Sequence, residues 1–164
     1  MAEKTLESLF YEQLKDIYYA ERKILKALPK MARGAQSDAL RQAFETLREE
    51  TEGQVERLQR VFEILGKRAV AKTCPAIDGI LEEGEEVLDD YKGNPALDAG
   101  LVAAAQAVEH YEIARYGTLK TWAEVLGMKE AVKLLDETLQ QETAADEKLS
   151  QLADTDANAR AVAA

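Results

Sequence analysis

The chain has 164 residues, of which 46% are hydrophobic and 32% charged, and carries a formal net charge of −10. So acidic a surface repels phosphate backbones and anionic headgroups, so neither nucleic acid nor membrane is expected as a partner. Cys74 is alone, which excludes an internal disulfide. With no apolar run near the roughly 20 residues of a membrane span and no charged-then-apolar start, a cytoplasmic protein of one domain is expected.

β-Branched alternation is scarce and the three prolines stand far apart, so the chain reads as all-α. A first helix is expected over about 5–33, with Thr5 as N-cap and Gly34 as its stop. Its apolar stripe is Leu6, Phe10, Leu14, Ile17, Tyr18, Leu25 and Leu28, broken only by Glu21. Pro29 is expected to kink the last turns or end the helix. A second helix, about 37–65, starts at Ser37 or Asp38 and closes at Gly66. Its stripe runs Leu40, Phe44, Leu47, Glu50, Gln54, Leu58, Phe62 and Leu65, so the polar break again falls at mid-helix. Gly53 beside that break suggests close approach of another backbone.

Pro75 opens a shorter amphipathic helix, about 76–91, whose outer side (Glu82, Glu83, Glu85, Glu86, Asp89, Asp90) reads as a solvated face. Asn94 and Pro95 are expected to cap and start the next long helix, about 95–126, closed by Gly127. In it Ala105, Val108, Ile113 and Tyr116 mark the buried side, and Glu109 and Glu112 lie on the same stripe. The last long helix, about 129–152, carries Ala131, Leu135, Thr138, Glu142, Ala145 or Asp146, and Leu149 inward. The join before it is so short that the two are antiparallel neighbours. The alanine-rich tail, about 154–164, is expected to fray.

The two halves share a short repeat. ETLREET (45–51) matches ETLQQET (137–143) at five of seven positions, an offset of 92 that places Glu50 on Glu142 and Gln54 on Asp146. At an offset of 91, Glu21 falls on Glu112. Two copies of one αα-hairpin would bring a mid-stripe glutamate from every long helix to one depth. An unpaired buried carboxylate costs several kcal/mol or takes up a proton, and no basic residue falls on the expected inner stripes. Something cationic between the helices is therefore expected, and oxygen-rich sites suit manganese or iron. Glu21, Glu50, Gln54, Glu109, Glu112, Glu142 and Asp146 are the candidate ligands of two divalent ions, iron or manganese. His110 lies off the Glu109–Glu112 stripe and reads as a polar contact or interface residue. The tyrosines Tyr18, Tyr19, Tyr111 and Tyr116 flank the site, for packing or for hydrogen bonds to ligands.

The stretches SLFYEQLKDIYYAERK, LREETEGQVERL, CPAIDGILEEGEEVL and AAAQAVEHYEIARYGTL resemble the YciF/YciE-type bacterial stress proteins, from Thr5 to about Ala153. That resemblance implies a ferritin-like antiparallel four-helix bundle with the short helix between its two helix pairs. More distantly, the fourth helix is similar to the GE-x-x-E helix of rubrerythrins, which implies metal ligation by Glu109 and Glu112. Ferritin-like sites place a histidine three residues after the glutamate on two of the helices, where this chain has Gly53 and Ala145. Gln54 and Asp146 are the nearest replacements, and an oxygen-only site is less selective.

Three readings follow: a two-metal protein reacting with oxygen or peroxide, a metal-binding protein without turnover, or a structural bundle that recognises a partner. With one cysteine there is no four-cysteine iron domain, so any electron donor is external. Leu9, Phe10, Tyr11 and Trp122 are an apolar surplus that suggests a homodimer.

Overall fold

A computed structural model describes residues 3–162. Four long helices, α1 (Leu6–Gly34), α2 (Asp38–Ile64), α4 (Leu97–Val125) and α5 (Lys129–Leu152), form an antiparallel bundle, and α3 (Pro75–Asp90) comes between the two pairs. The closest pairings are the hairpins α1–α2 and α4–α5, and α2 on α5 with α1 on α4 completes a ring. α3 crosses the outside of α1 and α4. Among the described residues no helix is long and apolar enough to cross a membrane.

Local chemistry sets the ends. Thr5 Oγ1 accepts from Ser8 N at 3.1 Å while Ser8 Oγ accepts from Thr5 N at 2.9 Å, a reciprocal cap that satisfies two otherwise unpartnered donors. Ser37 Oγ caps α2 through Leu40 N at 3.0 Å. At α3 the cap is Cys74, whose Sγ accepts from Ile77 N at 3.4 Å, and Pro75 occupies the first turn. α1 runs through Pro29 to Gly34, so the proline does not end it.

Three expectations change. α4 starts at Leu97, because Asn94 Oδ1 accepts from Ala96 N at 2.8 Å and closes a turn that holds Pro95 outside the helix. The tail does not fray within the described residues: a π-helical turn (Ala153–Ala157) and α6 (Asn158–Val162) follow α5 and pack on α4, with Ala157 buried. Gly53 meets no backbone; a side chain there would touch only Arg57 Nη1, at an ordinary 3.6 Å. Two other glycines do serve close approach. A Cβ on Gly100 would lie 2.6 Å from Val87 Cγ1, and one on Gly34 would collide with Leu88 Cδ2, so the end of α3 is seated in two notches.

The core is apolar above and below the middle of the bundle, with Phe10, Leu14, Phe62, Leu119 and Leu135 at one end and Leu28, Leu40, Leu101 and Leu149 at the other. On α1 the buried line passes through Ile24, with Leu25 turned further out. Phe10 is core and Tyr11 packs edge-on against Phe62 at 6.2 Å, so of that N-terminal trio Leu9, 44% exposed, remains at the surface. Asp98 is a buried acid with a structural task. Its oxygens accept from Gln36 N and Ser37 N, each at 2.8 Å, and tie the start of α4 to the α1–α2 turn.

Candidate metal centre

Each mid-stripe glutamate shares its helix face with buried apolar residues, Ile17 and Ile24 for Glu21, Ala105 and Tyr116 for Glu109 and Glu112, Leu135 and Ala145 for Glu142, and helix periodicity carries it inward with them. Glu21 (α1), Glu109 and Glu112 (α4) and Glu142 (α5) are all buried. One carboxylate oxygen from each of Glu21, Glu112 and Glu142 lies within 4.8 Å of the others. Glu109 and Glu142 act directly on one another, as do Glu142 with Glu112 and Glu112 with Glu21, so the acids form a chain from Glu21 through Glu112 and Glu142 to Glu109.

Burial pushes all four well above the ordinary carboxylate range, and mutual repulsion pushes them further. The largest charge effects on these four come from other carboxylates. Glu21 Oε2, Glu109 Oε2, Glu112 Oε2 and Glu142 Oε1 are buried without a hydrogen-bond partner. Buried oxygens without donors are rare in folded proteins, and hard oxygens at this spacing form a donor set that could hold a divalent ion. Tyr116 donates to Glu21 Oε1 at 3.0 Å from a fully buried position.

The other three candidates stand at the edge. Glu50 is half-buried, and desolvation raises its proton affinity while Lys148 and Arg57 hold it down. It is near enough to Glu109 and Glu142 to raise theirs. Asp146 also acts on Glu109, but its oxygens face outward: Oδ2 lies 3.1 Å from His110 Nε2 and Oδ1 accepts from Gln106 Nε2 at 3.3 Å. His110 is 68% exposed on its side chain and lies outside the buried group. Gln54 is buried, and its amide donates to Gln141 Oε1 at 3.2 Å.

A basic residue does reach the interior, against expectation. Arg57 donates through Nε to Thr138 Oγ1 at 2.9 Å and through Nη2 to Gln141 Oε1, bridging α2 and α5 beside the acids. It stands seven residues after Glu50, two helical turns, which returns it to the same face; that spacing was the available signal. Arg115 on α4 also buries its Nε, without a partner, with its guanidinium over the Tyr111 ring at 5.4 Å; two guanidiniums do not balance five acids. The remaining tyrosines serve α3 and its surroundings: Tyr19 Oη donates to Asp78 Oδ1 at 2.8 Å, and Tyr111 Oη donates to Asp16 Oδ1 at 2.8 Å and lies 3.0 Å from Cys74 Sγ. Tyr18 Oη accepts from Gln59 Nε2 at 3.3 Å.

The family described as "Domain of unknown function (DUF892)" matches residues 5–162. Protein YciF of Escherichia coli (strain K12) is 46% identical over 159 residues, 96% of each chain. The chain belongs to the YciF family. The crystal structure of the E. coli stress protein YciF superposes with a TM-score of 0.91, over 95% of this chain and 99% of that one. YcfI from Rhodopseudomonas palustris is 49% identical, with a TM-score of 0.86 over 90% of this chain and 94% of that one. A Xanthomonas campestris pv. campestris protein, 24% identical with a TM-score of 0.73 over 94% of each chain, shares the fold. The YciF fold of this chain therefore carries a buried cluster of acids at mid-bundle, as the broken stripes indicated.

Proposed function

We infer that this YciF-family chain is a stress-response protein that binds divalent cations among Glu21, Glu109, Glu112 and Glu142, with Glu50 completing the set. The observation that carries this reading is the group of four buried carboxylate oxygens without partners, converging from α1, α4 and α5. The spread of the acids on both sides of Glu142 suits two ions, one toward Glu21 and Glu112 and one toward Glu109 and Glu50. Glu142, near both groups, would serve either.

A bound iron or manganese ion supplies positive charge and a redox couple suited to oxygen or peroxide. The chain's own residues supply the rest. Tyr116 fixes one oxygen of Glu21 and leaves the other free. Arg57, Thr138 and Gln141 hold α2 against α5 at the level of the acids. The apolar layers above and below exclude water. Asp146 and Gln54, turned toward His110 and Gln141, act as supports on the rim.

Elemental analysis of protein from cells grown with added iron and manganese tests the reading, with Glu142→Gln in parallel. Bound metal in the wild type and its loss in the variant are expected. Equal, negligible metal in both, and no binding on titration of metal-free protein with Mn(II) or Fe(II), would show the acids to be a purely structural, protonated cluster.

A further inference from the structure

The buried acids must be reached from solvent, and one cleft in the bundle carries Glu50 on its wall. It lies between α2 and α5, with Thr46 and Glu50 on one side and Ala144 and Lys148 on the other, over Leu47 and Leu149. Glu50 is half-buried there, and Leu47 at the floor of the cleft also lines the small pocket that holds Glu109, so one side chain separates the cleft from the cluster; Glu50 is near enough to act on Glu109 and Glu142. Lys148 is exposed at the same cleft and acts on Glu50.

The other approaches suit a cation less. Beneath α3, small pockets that share Ala27, Met31, Leu81 and Val108 reach Glu109; Glu85 at the outer one is paired with Lys30 at 3.5 Å, and apart from Thr51 the lining between them and Glu109 is apolar. A hydrated ion would meet a carboxylate already paired with an ammonium at the mouth and little but apolar surface beyond it, so it would shed its water there for little in exchange. On the α4–α5 side Asp146 is occupied by His110 and Gln106.

We propose that the α2–α5 cleft is the route by which divalent cations reach the buried acids, with Glu50 as the relay carboxylate and Lys148 as a charge gate over it. This rests on the cation-binding reading above. An incoming ion exchanges part of its water for Glu50 at half depth, then passes inward to Glu142 and Glu109. Lys148 opposes the first step, because its ammonium lowers the local cation concentration and competes for Glu50. No bond other than metal–oxygen contacts is made or broken.

The test is the rate of Mn(II) uptake by the metal-free full chain, followed by loss of the free-ion EPR signal, with the amount bound at equilibrium measured on the same samples. Lys148→Ala is expected to raise the rate about tenfold and to change its dependence on salt, Lys148→Glu to raise it further. Ala144→Leu, which narrows the cleft, slows uptake, and Leu81→Phe beneath α3 leaves it unchanged. The wild-type amount bound at equilibrium is expected in every variant. Normal equilibrium binding with Lys148→Ala and Lys148→Glu within about twofold of wild type in rate, or slowing by Leu81→Phe alone, overturns the route and leaves the binding site standing. No bound Mn(II) in the wild type overturns both.

Discussion

Tyr116 donates its phenol proton to Glu21 across the α1–α4 contact at 3.0 Å, with both side chains completely buried. Burial and the neighbouring acids hold the phenol well above its usual range, so it remains a donor at any physiological pH. Tyr116→Phe keeps the ring and removes the donor, leaving Glu21 without its hydroxyl partner. A loss of about 1–2 kcal/mol is expected in urea unfolding of the metal-free protein. An unchanged midpoint would mean that Glu21 holds its position without the phenol.

Metal-free protein should lose stability as pH rises. Glu21, Glu109, Glu112 and Glu142 bind protons more tightly folded than unfolded, so the folded state takes up more protons in that range. Their stabilising contribution is complete below the unfolded glutamate value, about 4.3, and is lost as pH climbs through the raised folded values. Chelator-treated protein melted at a series of pH values checks this. A melting temperature that rises steadily from acid to neutral pH would contradict it.

Divalent metal should reverse that trend, and Glu142→Gln should separate the two effects. At about a hundredfold excess over the dissociation constant a bound ion stabilises by about 2.7 kcal/mol. Wild type is expected to melt higher with Mn(II), and Glu142→Gln to show no such rise. In the absence of metal near neutral pH the variant should equal or exceed the wild type, since one repelling acid has gone. Calorimetry with and without chelator distinguishes these outcomes.

Asp98 makes a contrast within one protein, a buried acid whose oxygens are both used. Asp98→Ala strips two donors, Gln36 N and Ser37 N, of their acceptor at the start of α2. About 3 kcal/mol of destabilisation is expected, with the metal-induced gain in melting temperature intact. A variant that lost the metal response as well would show that the turn and the acids are coupled.

Cys74 should react slowly. It is buried, burial pushes its thiol upward, and Ile77 N and Tyr111 Oη occupy its sulfur. Alkylation of the native chain near pH 8 is expected to trail that of the urea-unfolded chain by at least about tenfold, as read by mass spectrometry. Equal rates would place the sulfur in reach of solvent.

The helices and the four buried glutamates were legible because periodicity reports which face is inside and an acid on that face breaks the pattern. Depth along that face was less legible. The repeat equates Glu50 with Glu142, yet one is half-buried and the other buried, since α5 packs closely on α4 while α2 meets α5 across a cleft. The duplicated threonines keep their equivalence: Thr51 Oγ1 donates to Leu47 O at 2.7 Å and Thr143 Oγ1 to Leu139 O at 3.0 Å. Gln54 and Asp146 diverge because long-range partners on α5 and α4 claim their polar ends. Arg57 escaped notice because a long side chain delivers its charge far from its own Cα. The tail depended on packing against α4, which small alanines do not advertise.

The notches at Gly34 and Gly100 have an effect at a distance. They let α3 lie flush on α1 and α4, and Leu81 of α3 then roofs the small pocket that borders Glu109. A methyl group at Gly100 would press on the branched Val87 and shift the end of α3, loosening the roof and admitting water to the acids from that side. At Gly34 the flexible end of Leu88 would first have to turn aside. Hydration would relieve the burial that drives their proton affinity upward. Two residues that touch no carboxylate thus set how dry the centre is, and with it how strongly the empty cluster holds its protons.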